Sequence, residues 1–163
     1  MGERMGDGRT AVERTSGREL VVTRVFDGPV RLVYDAWTKP ELFQLWWAPK
    51  SSGVPMLSCE MDVRTGGGYR VVFGKDAANS MAFFGKYIEV VPLARLVWTN
   101  DEGDGGAVTT VTFEDKGGKT LLVLQELYPT QEALDESFIG MEDTTPEQFR
   151  QLDDLLASLG AKV

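Results

Sequence analysis

Three tryptophans, Trp37, Trp46 and Trp47, fall within eleven positions of one another. Rigid aromatic faces at this density can wall a cavity for an apolar ligand, or they can pack helices onto a sheet. Trp37 lies on an amphipathic stripe, which suits packing. Trp46 and Trp47 border a loop, which suits a pocket rim. Met61, Met81 and Met141 add flexible, polarizable side chains, and Tyr69, Phe73, Phe83, Tyr87, Trp98, Phe113 and Phe149 add further rings. Singly, each is ordinary core material; together with Trp46 and Trp47 they form the candidate ligand-binding set.

Four polar residues in apolar stretches, Glu60, Arg70, Tyr87 and Glu126, would anchor a ligand's carboxylate or hydroxyl if they pointed inward. An inward carboxylate with a raised pKa can also act as a general acid or base, as a cyclase or dehydratase requires. Their spacing does not compel convergence, so a solvated sheet face is the simpler reading. No catalytic residue is assigned, and an enzyme is the less favoured class.

Other chemistry is excluded by composition. Histidine is absent, which removes Ser-His-Asp and Cys-His nucleophiles and His-ligated metals. Cys59 is the only cysteine, which removes an internal disulfide and a thiolate zinc cluster and fits a reducing cytoplasm. Gly66-Gly67-Gly68 lacks the Lys and Ser/Thr of a phosphate loop and reads as a turn. No metal and no cofactor is expected. The net charge of −8 would repel nucleic acid. No apolar run approaches the roughly 18 residues of a membrane span, and residues 1–18 lack a signal peptide's apolar stretch. The expectation is a soluble, cytoplasmic protein.

The elements that must position these residues follow from periodicity. The 163 residues suit one domain with one core. Residues 1–18 are rich in Gly, Arg and Glu and read as a flexible tail, leaving 19–163 as a single domain. Glu19 to Phe26 is β-branched and apolar, a strand. Pro29 then opens a helix carrying Val30, Val33, Tyr34 and Trp37 on one face. Thr38 and Glu41 resemble a capping box for a second short helix reaching about Trp46. Six strands follow at about 54–63, 68–74, 81–91, 95–100, 107–114 and 119–128, joined by short turns that imply an antiparallel meander. Thr145-Pro146-Glu147-Gln148 reads as the start of a last helix with Phe149, Leu152, Leu155, Leu156 and Leu159 on its apolar stripe. Residues 130–163 hold eight acids and two bases, hence −6 of the −8, so that helix has an acidic outer face.

The order β-α-α-β-β-β-β-β-β-α is that of an α+β helix-grip fold, a curved antiparallel sheet around a long C-terminal helix. The segments RVFDGPVRLVYDAWTKPELFQLWWAPK (24–50), CEMDVRTGGGYRVVF (59–73), GKYIEVVPLARLVWT (85–99) and TTVTFEDKGGKTLLVLQELYP (109–129) resemble the activator of heat-shock-protein-90 ATPase homologue family of the START-like, or SRPBCC, superfamily. The likeness extends over about residues 19–159. It implies an apolar cavity between sheet and helix; with the aromatic and Met-rich positions and no recognisable catalytic set, the expected function is binding of a hydrophobic or amphipathic small molecule without catalysis. The same likeness leaves open a chaperone-regulating module, with heat-shock protein 90 as partner, and a cyclase or aromatase acting on polyketide-like substrates. One departure is visible: the family's usual Gly-Trp at the start of the last helix is Thr145-Pro146 here.

Overall fold

The computed structural model describes residues 4–6, 10–48, 50–76, 78–101 and 106–160, with side chains throughout these except at 4–6, 52, 137, 139–143 and 160. Among them, nine strands form one antiparallel sheet. In chain order they are β1 (Arg4–Gly6), β2 (Thr10–Arg14), β3 (Glu19–Phe26), β4 (Met56–Met61), β5 (Gly68–Asp76), β6 (Asn79–Val91), β7 (Arg95–Thr99), β8 (Val108–Asp115) and β9 (Thr120–Leu127). Across the sheet the order is β1-β2-β3-β9-β8-β7-β6-β5-β4. Helices α1 (Val30–Thr38) and α2 (Pro40–Phe43) follow β3, and α3 (Gln131–Gly160) ends the described chain.

Alternation decides which sheet face is covered. In β3, Leu20, Val22 and Phe26 are fully buried; β8 adds Val111 and β9 adds Leu122 on the same face. Against them α3 lays Leu134, Phe149, Leu152 and Leu156, and the rings of Phe26 and Phe149 meet edge to face at 5.2 Å. This is the helix-grip arrangement, and the core lies between the gripping sheet and the gripped helix. Truncating the fully buried Leu152 to Ala removes both transfer energy and packing, a cost of about 2–5 kcal/mol.

Three local expectations are corrected. Residues 10–14, assigned on composition to a flexible tail, are instead a strand: Thr10 pairs with Arg24, Val12 with Val22 and Arg14 with Leu20. The physical reason is that β3 offers an open edge, while Thr10 and Val12 alternate into the core with 2% and 0% exposure. Thr38 caps no helix. Its hydroxyl donates back to the Tyr34 carbonyl at 2.8 Å, and Lys39 occupies the N-cap of α2 without a side-chain hydrogen bond. That second helix also ends at Phe43, with turns carrying the chain through Trp46.

The last helix does not begin at Thr145. It begins at Gln131 and carries Pro146 inside it. A proline there forfeits one backbone hydrogen bond. Burial of Leu134 and Phe138 before it, and of Phe149 and Leu152 after it, keeps both halves docked on one core and offsets that loss.

Candidate ligand cavity

Between the limb β4–β6 and the α1–α2 corner lies a cavity of about 410 Å³, which α3 also borders through Gln148. Its floor is β5 and β6, where parity puts Tyr69, Val71 and Phe73 on the same face as Phe83 and Tyr87. Val71 pairs with Phe83, and Phe73 meets Phe83 edge to face at 5.6 Å. Met61 and Trp98 close the two sides, and Trp37, Phe43 and Trp47 form the roof. Phe43 and Trp47 stack at 4.9 Å, and Trp37 meets Trp47 edge-on at 5.9 Å. The Trp37 indole N–H is buried without a hydrogen-bond partner.

Tyr69 depends on its cross-strand neighbour. It pairs with Gly85, where a Cβ would come within 1.9 Å of the Thr99 carbonyl oxygen and 3.0 Å of the Tyr69 ring. With glycine there, the Tyr69 ring lies over β6 and its hydroxyl donates to the Thr99 carbonyl at 2.8 Å.

The roof is pinned to α3. Gln148 donates to the Trp47 carbonyl at 2.6 Å, and Gln151 donates to the carbonyls of Trp46 and Ala48 at 2.9 Å each while accepting from the Lys50 N–H at 2.9 Å. Glu147 accepts from the Ser51 hydroxyl and, at 2.9 Å, from the Ser51 N–H. These two bonds, the hydroxyl's first, hold the Glu147 carboxyl below its ordinary value. Positions 147, 148 and 151 share a helix flank, so one side of α3 satisfies the backbone of an irregular loop that carries two tryptophans.

A second chamber of about 390 Å³ lies towards β8, β9 and α3. It shares Trp47, Trp98, Asn100 and Gln148 with the first, so these four residues are a common wall. Four of its polar residues, Asn100, Thr109, Glu126 and Tyr128, are linked in series. Asn100 donates to the Ala107 carbonyl at 2.9 Å and to the Thr109 hydroxyl at 3.0 Å; Thr109 donates to Glu126 at 2.8 Å; Tyr128 donates to the other Glu126 oxygen at 3.0 Å.

Titration behaviour follows burial. Desolvation, with smaller contributions from Cys59 and Tyr34, pushes the Tyr87 phenol well above its ordinary value. Burial and then Glu41 push the Cys59 thiol up to about 11. Both groups therefore stay protonated at neutral pH.

The sequence profile described as "Activator of Hsp90 ATPase homolog 1-like protein" matches residues 27–157. The chain belongs to this family. Solved structures agree on the fold. A Rhodobacter sphaeroides protein is 26% identical with a TM-score of 0.82, covering 91% of this chain and 97% of its own. A Chromobacterium violaceum protein is 29% identical with a TM-score of 0.69, covering 85% and 96%. An AHSA1-like protein from Aeromonas hydrophila is 20% identical with a TM-score of 0.63, covering 83% and 94%. No curated protein matches the chain.

In this family member, Trp47, Met61, Tyr69, Phe73, Phe83, Tyr87 and Trp98 of the expected set line the larger cavity, and Phe149 lines the second. Trp46, Phe113 and Met81 line neither. The N–H of Trp46 donates to the Ala36 carbonyl at 2.9 Å, which turns its ring into the core 4.8 Å from Trp37. Phe113 lies behind the roof, edge-on to Tyr34 at 5.4 Å and to Trp37 at 6.4 Å. Met81 is 62% exposed near the tip of the β5–β6 hairpin, past the cavity's end. The side chain of Met141 lies outside the described residues. Glu60 and Arg70 pair across β4 and β5 on an exposed face, whereas Tyr87 and Glu126 reach the two chambers.

The candidate ligand-binding set left out Phe43, Val54, Val71, Asn100 and Gln148, and Trp37 was set aside as packing. The helical stripe that buries Trp37 also turns its ring to the cavity. Gln148 carried a usable signal, a polar residue beside Phe149 at the edge of an apolar stripe. Asn100 carried none.

Among the described residues, no helix is long and apolar enough to cross a membrane, and no group of three or more acidic or cysteine side chains converges on a metal position.

Proposed function

We propose that this chain binds a hydrophobic or amphipathic small molecule, without chemical turnover, between the β4–β6 limb and the α1–α2 corner. The observation that carries the reading is the aromatic-walled cavity of about 410 Å³, which adjoins a second chamber of mixed lining. Removing apolar surface from water contributes about 25 cal/mol per Å² before ordering costs, so micromolar affinity requires little polar machinery. The lone half-buried Cys59 fits a reducing compartment such as the cytoplasm.

The experiment is native mass spectrometry of the folded chain after incubation with a small-molecule extract of its host, repeated with Phe83→Arg and Trp98→Arg. A discrete adduct that disappears on denaturation and in both variants supports the reading. No adduct on folded protein, or an undiminished adduct in both variants, overturns it.

The family's description favours a second reading, regulation of the Hsp90 ATPase. It predicts a changed ATPase rate when this chain is added to the host chaperone, and an unchanged rate disposes of it.

A further inference from the structure

We infer that the ligand carries an uncharged carbonyl group on an otherwise apolar body, and that the Tyr87 hydroxyl donates to this carbonyl inside the larger cavity. The inference rests on the pocket reading above and goes further by fixing the chemistry of the bound molecule and the side chain that recognises it.

Tyr87 carries the argument. It is 3% exposed and lines the larger cavity, and its hydroxyl makes no hydrogen bond with any described residue. The Trp37 N–H is also unpartnered but sealed, whereas the Tyr87 hydroxyl keeps accessible surface. In a residue so deeply buried, that surface opens onto the cavity its ring lines. Buried polar groups are nearly always paired, and an exception in a native fold marks a place where water or a ligand completes the bonding. Burial, with Cys59 and Tyr34 nearby, raises the Tyr87 pKa, so the phenol keeps its proton at neutral pH and is available as a donor.

The rest of the lining selects the kind of acceptor. Among the described residues around the larger cavity there is no Asp, Glu, Lys or Arg. A carboxylate or ammonium guest would surrender its hydration there without a counter-charge, a cost that one phenol bond does not offset. Acceptors are also scarce. The indole N–H groups of Trp37, Trp47 and Trp98 have no acceptor among the described residues. Asn100 and Gln148 bring amide groups only at the wall shared with the second chamber, which Tyr87 does not border. A guest that offers an acceptor and no donor matches such a lining. A ketone or ester carbonyl does so, whereas a hydroxyl brings one more proton that needs a partner.

The test uses the full chain at neutral pH with three probes on one ring skeleton: tetralin, α-tetralone, and the tetralin carboxylate substituted at the same carbon. Affinities are measured by calorimetry in the wild type, in Tyr87→Phe and in Tyr34→Phe. Tyr34 is the neighbouring phenol and lines neither chamber. Tyr87→Phe should weaken α-tetralone about five-fold and leave tetralin unchanged, because it deletes one hydrogen bond and no apolar burial. Tyr34→Phe should change neither. The carbonyl stretch of α-tetralone should lie at lower wavenumber on the wild type than on Tyr87→Phe, and the carboxylate should bind weakest of the three.

Unchanged α-tetralone affinity in a folded Tyr87→Phe variant, an equal loss in Tyr34→Phe, or a carboxylate that binds more tightly than the ketone overturns the inference while the pocket reading stands. If neither tetralin nor α-tetralone binds the folded wild type, the pocket reading fails and takes this inference with it. Should Tyr87→Phe fail to fold, the carbonyl stretch of α-tetralone on the wild type still decides: a stretch at its position in an apolar solvent overturns the inference, and a lowered one supports it.

Discussion

Gln148 of α3 donates to the carbonyl oxygen of Trp47 at 2.6 Å across 101 positions of sequence, and both residues line both chambers. The gripped helix therefore does more than fill the core. Through Glu147, Gln148 and Gln151 it fixes the loop that forms the cavity roof, so the shape of the site depends on where α3 docks.

Removing that latch should loosen the roof more than it weakens the fold. Gln148→Ala is expected to cost about 1 kcal/mol in denaturant unfolding, and Trp47 should become more accessible to a soluble fluorescence quencher. Gln148→Glu places an acceptor against the Trp47 carbonyl and should cost more, about 1–3 kcal/mol. Equal quenching in wild type and both variants would show that the loop is held by other contacts.

Stability should fall in alkali, in a window set by buried acids that prefer to stay protonated. Cys59 moves from an ordinary 9.0 up to about 11, and Tyr87 is raised as well. A raised acid pKa means that the unfolded chain loses its proton first. The stability it contributes is complete below the unfolded value and declines as pH rises from about 9 towards 11. Thermal melts across this range should show the decline, and Cys59→Ala should flatten it. Alkylation of Cys59 in the native protein should titrate near 11, and Glu41→Gln should lower that midpoint.

The strands were legible because one face of each is wet and the other buried. Thr110 and Thr112 alternate with Val111 and Phe113 in β8, and the observed span Val108–Asp115 departs little from the expected 107–114. Strand β2 was not legible: in TAVER only Val12 is strongly apolar, and its reason to be extended is the open edge of β3 some ten residues later. Pro146 misled for a related cause. Locally it marks a helix start, and only the burial of Leu134 and Phe138 one and two turns beyond the starting point shows that α3 continues through it.

For the site, parity grouped Tyr69, Val71 and Phe73 on β5, and Phe83 with Tyr87 on β6, without showing which side was inward. Trp46 and Trp47 are neighbours of identical type, yet the Ala36 carbonyl takes the first into the core and Gln148 holds the second at the cavity. Both partners are distant in sequence, and no local pattern distinguishes the two rings.

Arg24 is 1% exposed at its side chain and pairs with Asp153 of α3, which is 17% exposed, while also donating to Thr10. Breaking a largely buried pair leaves a desolvated charge behind, so Asp153→Ala should cost about 3 kcal/mol or more. The double replacement Arg24→Met with Asp153→Leu removes both charges and should recover most of that loss. If the double variant is as unstable as Asp153→Ala, packing and not charge governs this contact.

Gly85→Ala tests whether the cavity floor depends on one missing side chain. The added Cβ would sit 1.9 Å from the Thr99 carbonyl oxygen, which is backbone and cannot swing aside, and 3.0 Å from the Tyr69 ring. The strands β6 and β7 must therefore separate locally or the Tyr69 ring must lift, and lifting it breaks the 2.8 Å bond from its hydroxyl to Thr99. A loss of about 2 kcal/mol or more is expected, far above the usual effect of an exposed Gly to Ala change. Tyr69→Phe removes the hydroxyl alone and should cost only about 1 kcal/mol. If lifting the ring is the main route of relief, the Gly85→Ala and Tyr69→Phe losses should be strongly non-additive, since the first already breaks the bond the second deletes. Additive losses would mean that the clash is relieved along the β6–β7 backbone, with Tyr69 still in place over the cavity floor.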